Sequence, residues 1–333
     1  MNAPGEAKST ADRDLTAGLR AGNRRALAKA ITLVESTRSE DRKNAQKLLE
    51  AILPHTGRSM RIGISGVPGV GKSTFIEALG MYLIERGHRV AVLAVDPSST
   101  VHGGSILGDK TRMELLSQRT EAFIRPSPSS GSLGGVAEHT REAMLLCEAA
   151  GYDIIIVETV GVGQSETTVA GMTDMFVLLQ LPNAGDELQA IKKGIMELAD
   201  LVVFNKADLD PTAAQLAAAQ MRSALSMLRP ASANWQPPVL TLSALRKDGL
   251  AEFWRVIEKF RSTLTTSGEF EARRRHQALA WMWQQIDSGL RHRFRQHPGV
   301  KTALAELSVS VEAGTTTPAA AAQRLLGLVS RTF

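Results

Sequence analysis

Residues 66–73 read Gly66-Val67-Pro68-Gly69-Val70-Gly71-Lys72-Ser73, with four residues between the first and last glycine and Lys and Ser directly after. This arrangement suits phosphate chemistry. Glycines let successive backbone N–H groups turn inward with no Cβ in the way, and a helix starting at the loop's end adds its partial positive charge. The Lys72 ammonium is expected to reach β- and γ-phosphates. The Ser73 hydroxyl is expected on Mg²⁺, a hard cation that prefers oxygen ligands, and Thr74 continues the motif into the helix.

A second set of residues could read a base. Leu201-Val202-Val203-Phe204 runs into Asn205-Lys206-Ala207-Asp208. The Asp208 carboxylate can accept from the imino and amino protons on one edge of guanine, a pair of donors that adenine lacks. Asn205 is expected to tie the loop together, and the Lys206 stem to lie along the ring face. Ser243-Ala244-Leu245, again at a strand end, matches a loop that gives a backbone N–H to the guanine carbonyl. Both motifs, in this order, point to GTP as substrate and GDP as product rather than to adenine nucleotides.

Acids at two further strand ends face the same region. Val90–Val95 ends at Asp96, and Ile154–Val157 ends at Glu158-Thr159-Val160-Gly161. Asp96, Glu158 and Asp109, the last in the Gly103–Lys110 loop, are candidates for Mg²⁺ or the attacking water; each is otherwise a helix cap or a surface charge. Gly161 is expected to donate its N–H to the γ-phosphate, which makes its segment a switch. Where Ras-like GTPases carry a water-orienting glutamine this chain has Val162, and the first glutamine is Gln164. Slow intrinsic hydrolysis is the expectation. Lys192 is a candidate for a stabilising cation and equally a solvated helix lysine.

These residues need a scaffold. Strand-like apolar runs at Arg61–Ser65, Val90–Val95, Ile154–Val157, Met175–Gln180, Leu201–Asn205 and Val239–Ser243 alternate with helical stretches. The alternation predicts an α/β P-loop fold with a mostly parallel sheet flanked by helices and ligands at the strands' carboxyl ends. Helical periodicity without strands precedes it (Leu15, Leu19, Leu27, Ile31, Val34, Leu48, Leu49, Ile52) and follows it (Trp281, Trp283, Val300–Val311). Thr317-Pro318 reads as the cap and first position of a last helix. The division expected is an N-terminal helical element over 1–56, a nucleotide domain over 57–260 and a C-terminal helical extension over 261–333 that self-associates or packs back on the core.

Composition narrows the class. In 333 residues, 43% hydrophobic and 22% charged, there is no apolar run of membrane-spanning length. Met1–Leu15 contains Glu6, Asp12 and Asp14, which suits neither a signal nor a transit peptide, so the cytoplasm is the expected address. The lone cysteine, Cys147, lies in an apolar-periodic stretch and reads as a buried structural thiol. A net charge of +5 is modest; Arg273-Arg274-Arg275, Arg291, Arg293 and Arg295 read as a solvated or partner-facing surface, with no nucleic-acid module and no membrane contact expected.

Together, Gly66–Thr74, Val95–Ser99, Gly103–Arg112, Glu158–Glu166, Leu181–Gln189 and Asn205–Asp208 closely resemble the MeaB/ArgK family, nearest its bacterial MeaB branch, over essentially the whole nucleotide domain. The resemblance implies a SIMIBI-class fold and a homodimer formed through the C-terminal extension. It implies GTP hydrolysis accelerated by adenosylcobalamin-dependent methylmalonyl-CoA mutase, and a chaperone that gates adenosylcobalamin loading and protects or reactivates the mutase. It also implies a switch at Val160–Glu166 and a partner-facing one at 183–192, including Asn183, Asp186, Glu187, Gln189 and Lys192. Two other readings of the residues stay open: a GTPase for nickel insertion, disfavoured because His88, His102 and His139 have no thiol partner, and a non-catalytic GTP-binding assembly switch. An ATP-dependent transport kinase fits poorly with Asn205–Asp208.

Overall fold

A computed structural model describes residues 15–95, 113–126, 133–159, 165–182, 193–228 and 231–329. The chain divides into two compact units, Met1–Phe270 and Glu271–Phe333. Among the described residues the first holds seven strands: β1 (Met60–Gly66), β2 (Val90–Val95), β3 (Ala122–Arg125), β4 (Ile154–Thr159), β5 (Met175–Gln180), β6 (Leu201–Phe204) and β7 (Val239–Thr241). They form one sheet in the order β3-β2-β4-β1-β5-β6-β7, every pair parallel. The order reverses at β1, which lies between β4 and β5. Ligand crevices of open α/β sheets form at the carboxyl ends of strands around such a reversal.

Both faces of the sheet are covered, so the strands read as continuous apolar runs. Ile62, Ile64, Val92, Ile156, Val177 and Val203 point to one side, where they pack with α3 (Lys72–Ile84) and α9 (Leu250–Thr266). Phe253 and Phe260 of α9 are fully buried there, and Phe253 meets Phe75 of α3 edge-on at 5.0 Å. Such a ring pair adds roughly 0.5–1.5 kcal/mol to its burial. Ala91, Leu93, Ile155, Val157 and Phe176 point to the other side. They meet α5 (Leu133–Ala149), α6 (Ser165–Ala170) and the N-terminal helices α1 (Arg24–Val34) and α2 (Ser39–Ile52). The spacing of Leu27, Ile31 and Val34 gives α1 its buried stripe, and Asn23 caps it by accepting from the Arg25 and Ala26 N–H groups. The N-terminal helices therefore cover one face of the sheet and belong to the same compact unit.

Further along the first unit, α4 (Glu114–Ser117) precedes β3, α7 (Lys193–Leu198) precedes β6, and α8 (Pro211–Ser226) follows it. Strand β3 has no counterpart among the expected strands. Its run is only Ala122-Phe123-Ile124 before Arg125, too short to carry a period, and pairing with β2 makes it a strand. Helix α9 runs across position 261, and the compact unit closes at Phe270. Cys147 is buried, and burial pushes its thiol far up.

The second unit contains most of α10 (Glu269–Gln296), with α11 (Pro298–Glu312) and α12 (Pro318–Val329) packed together. Pro298 opens α11, and the Thr317 hydroxyl accepts from the Ala320 N–H at the start of α12, as the Thr-Pro pair predicts. Leu279, Met282, Trp283, Ile286 and Leu290 recur at helical spacing along α10 and are exposed. Among the described residues, no helix is long and apolar enough to cross a membrane.

Candidate nucleotide-binding site

The phosphate loop leaves β1 at Gly66 and enters α3 at Lys72. Two of its glycines are sterically required. A Cβ on Gly66 would stand 2.5 Å from the Leu179 carbonyl oxygen of β5, and Gly71 holds φ 91° with Asn205 Nδ2 only 2.8 Å from where a Cβ would be. Val70 is fully buried in the core and pins the loop between them. Gly71 supplies no side-chain cap to α3, so the first-turn N–H groups of this 13-residue helix face the loop with their partial charge. The Lys72 ammonium lies back across the loop, donating to the Gly66 carbonyl at 2.8 Å and the Val67 carbonyl at 3.3 Å. Ser73 is half-buried and Thr74 exposed beside it.

Asn205, buried at the end of β6, joins three loops through one side chain. Its Nδ2 donates to the Val70 carbonyl at 2.8 Å, and its Oδ1 accepts from the Ala244 N–H at 3.1 Å. Its own N–H donates to the Gln180 carbonyl of β5. Lys206, at φ 60°, donates from Nζ to the Gly69 carbonyl at 2.8 Å. The base-reading loop and the phosphate loop are thus one bonded assembly. Ala244 commits its N–H to Asn205.

Asp208 lies beside the Ser243–Asp248 turn, which reciprocal bonds between the Ser243 and Asp248 backbones close at 3.1 and 3.0 Å. The Ser243 hydroxyl holds the Asp208 carboxyl below the usual range by donating to it, with help from its backbone and Arg246 and against the opposing effect of burial. Arg246 Nε stands 3.6 Å from Asp208 Oδ2. Arg246 is not among the residues expected at the site, and only its place beside Asp208 in the fold brings it there.

Glu158 is buried near the carboxyl end of β4, in register with Ile64 of β1 and Ala94 of β2. Next to it, the Thr159 hydroxyl donates to Ser65 Oγ at 3.0 Å, tying β4 to the strand that launches the phosphate loop. Gly66–Thr74, Glu158, Asn205, Lys206, Asp208 and Ser243–Leu245 thus all fall at the carboxyl edge of one sheet. Asp96, Asp109, Gly161, Gln164, Asn183, Asp186, Glu187, Gln189 and Lys192 lie outside the described residues.

A strand, a glycine loop and a helix joined by one asparagine to a base-reading loop have the layout of a GTPase. Residues 27–299 match the family described as methylmalonyl Co-A mutase-associated GTPase MeaB. The chain belongs to the MeaB family. GTPase ArgK of Escherichia coli is 55% identical over 270 residues, 81% of this chain and 82% of that protein. The mitochondrial methylmalonic aciduria type A homolog of Mus musculus is 49% identical over 323 residues, 94% of this chain and 78% of that one. In three dimensions the chain is similar to the crystal structure of an LAO/AO transport system kinase, with a TM-score of 0.78 and 41% identity over 96% of this chain and 98% of that one. Like its MeaB-family relatives, this protein is a GTPase.

Proposed function

We propose that this GTPase serves adenosylcobalamin-dependent methylmalonyl-CoA mutase, gating cofactor loading and the protection or reactivation of the mutase. The family match over residues 27–299, under a description that names the mutase, carries this reading. The name of the mouse relative, which refers to methylmalonic aciduria, supports it.

Hydrolysis joins a water oxygen to the γ-phosphorus and breaks that atom's bond to the β,γ-bridging oxygen. Lys72 gives up its loop carbonyls to neutralise the charge that grows on the bridging and γ oxygens, while the α3 N-terminus and loop amides hold the β-phosphate. The Asp208 carboxylate reads the guanine edge, Lys206 lines a ring face, and the Leu245 amide meets the base carbonyl. The hydroxyl of Ser73 and carboxylate of Glu158 are hard oxygen donors of the kind Mg²⁺ takes, with Asp96 and Asp109 as further candidates. Bound there, Mg²⁺ supplies charge neutralisation to the β- and γ-phosphates. With Val162 where a water-orienting glutamine is expected, intrinsic turnover is slow and the partner accelerates it.

Gly161 and Gln164 in the 160–166 segment, and Asn183, Asp186, Glu187, Gln189 and Lys192 in the second, form the γ-phosphate-sensing and partner-facing switches. The three-part division at 56/57 and 260/261 assigns the last part to dimerisation. The exposed Leu279, Met282, Trp283, Ile286 and Leu290 stripe supports a homodimer. The cytoplasm is the proposed location.

GTP turnover measured with and without the mutase, with Lys72→Ala as the blank and ATP as the control nucleotide, tests the proposal. Acceleration by the mutase that the blank lacks is expected. Equal rates with and without mutase, and no complex, would remove the mutase from the account and leave the GTPase.

A further inference from the structure

The carboxylate that reads guanine already has a guanidinium beside it. Arg246 Nε is 3.6 Å from Asp208 Oδ2; the Asp208 side chain is 9% exposed and the Arg246 side chain 65%. The backbone of Arg246 is anchored, its N–H donating to Ser243 Oγ at 3.1 Å inside the closed 243–248 turn. An anchored backbone with a side chain in water lets the guanidinium swing while its base stays beside Asp208. The Nε side of a guanidinium offers two parallel N–H donors, and the imino and amino groups of guanine offer the same pair. One carboxylate complements either.

We propose that Arg246 is an internal stand-in for the guanine base, occupying the Asp208 carboxylate in the nucleotide-free protein and swinging aside when nucleotide binds. The proposal rests on the reading of Asp208 as the guanine acceptor. Its first consequence is positional: Asp208 stays charged and oriented between nucleotides, with Ser243 bonded to both partners, in keeping with a carboxyl held below its usual range. Its second is kinetic. Nucleotide meets a site open only for the fraction of time that Arg246 is away, so apparent affinity falls by that fraction. An exposed ion pair shifts such an equilibrium by roughly 1.4- to 5-fold.

Stopped-flow and equilibrium binding of N-methylanthraniloyl-GDP to the wild type, Arg246→Ala and Asp208→Asn test this. Arg246→Ala is expected to bind about two- to fivefold tighter, through faster association with dissociation unchanged. The ratio to wild type should shrink toward one in 1 M NaCl, where screening acts within about 3 Å. The sign is discriminating, because removing a cation near an anionic ligand would by itself weaken binding. Unchanged or weaker binding by Arg246→Ala overturns the proposal and makes Arg246 a bystander or a support for the base. The guanine reading fails separately, and takes the proposal with it, if the wild type does not prefer guanine to adenine nucleotides or if Asp208→Asn binds as tightly as wild type.

Discussion

The two ends of the central strands are built differently. At the amino ends, charges are bonded, and Glu148, Asp174 and Asp200 are buried as well. Arg61 of β1 pairs with Glu148 of α5, Nε to Oε1 at 2.9 Å and Nη2 to Oε2 at 3.0 Å, and Glu148 also accepts from the Ser59 hydroxyl and the Gly57 N–H. Asp174 accepts from the Arg61 N–H, Asp200 from the Phe176 N–H, and Asp153 from the Arg89 N–H and the His88 ring. At the carboxyl ends, glycines replace side chains, a helix start has no side-chain cap, and Lys72 rests on loop carbonyls. Carboxylates staple one edge of the sheet, so the other edge can leave its donors to a ligand. Stability and binding are thereby separated along the same strands.

Three perturbations sharpen that contrast. The largest effect is expected from Glu148→Ala, which strands Arg61 nearly buried beside an empty position and costs about 3–5 kcal/mol of folding stability. Urea titration should show the midpoint falling with an unchanged slope, while guanine-nucleotide affinity of the folded protein stays put. A loss below about 1 kcal/mol would mean that the amino-end network is dispensable. Next is Asp208→Asn. Hydrogen bonds to a charged partner contribute about 1.5–3 kcal/mol each, so affinity for guanine nucleotides should fall roughly tenfold to a hundredfold. The urea midpoint should hardly move; a large shift would show that the carboxyl edge carries stability as well.

The smallest effect is in pH. Burial alone would raise the Glu148 carboxyl, but pairing with Arg61 and bonds from Ser59 and Gly57 outweigh it and hold the group below its ordinary value. A carboxyl depressed on folding contributes stability that is complete above its unfolded value, about 4.3, and is lost as pH falls through the folded one. Comparing wild type with Glu148→Gln between pH 7 and pH 3 should show this acid-side loss in the wild type and its absence in the variant. Parallel curves would assign the pH dependence to other carboxylates.

Much of the candidate site could be proposed from the sequence because its demands are local. A loop that must turn its amides inward calls for glycine at fixed spacing, and the base reader calls for Asn and Asp around one lysine at a strand end. Strands on both faces of which helices pack need unbroken apolar runs, so six were visible as such. Strand β3 was not, because three apolar residues become a strand only when β2 supplies the hydrogen bonds. Arg246 gave no signal of its own, since an exposed arginine after a turn has no meaning until Asp208 is seen beside it.

The sequence by itself determined the guanine nucleotide, six of the strands described here and the residues proposed to touch phosphate and base, since each follows from spacing within a few residues. Only the tertiary structure decided how those pieces are joined. Asn205 reaches Val70 across 135 positions, and Arg61 reaches Glu148 across 87. Such pairings depend on strand order and register, which arise when the whole sheet closes around β1 and which no local pattern encodes.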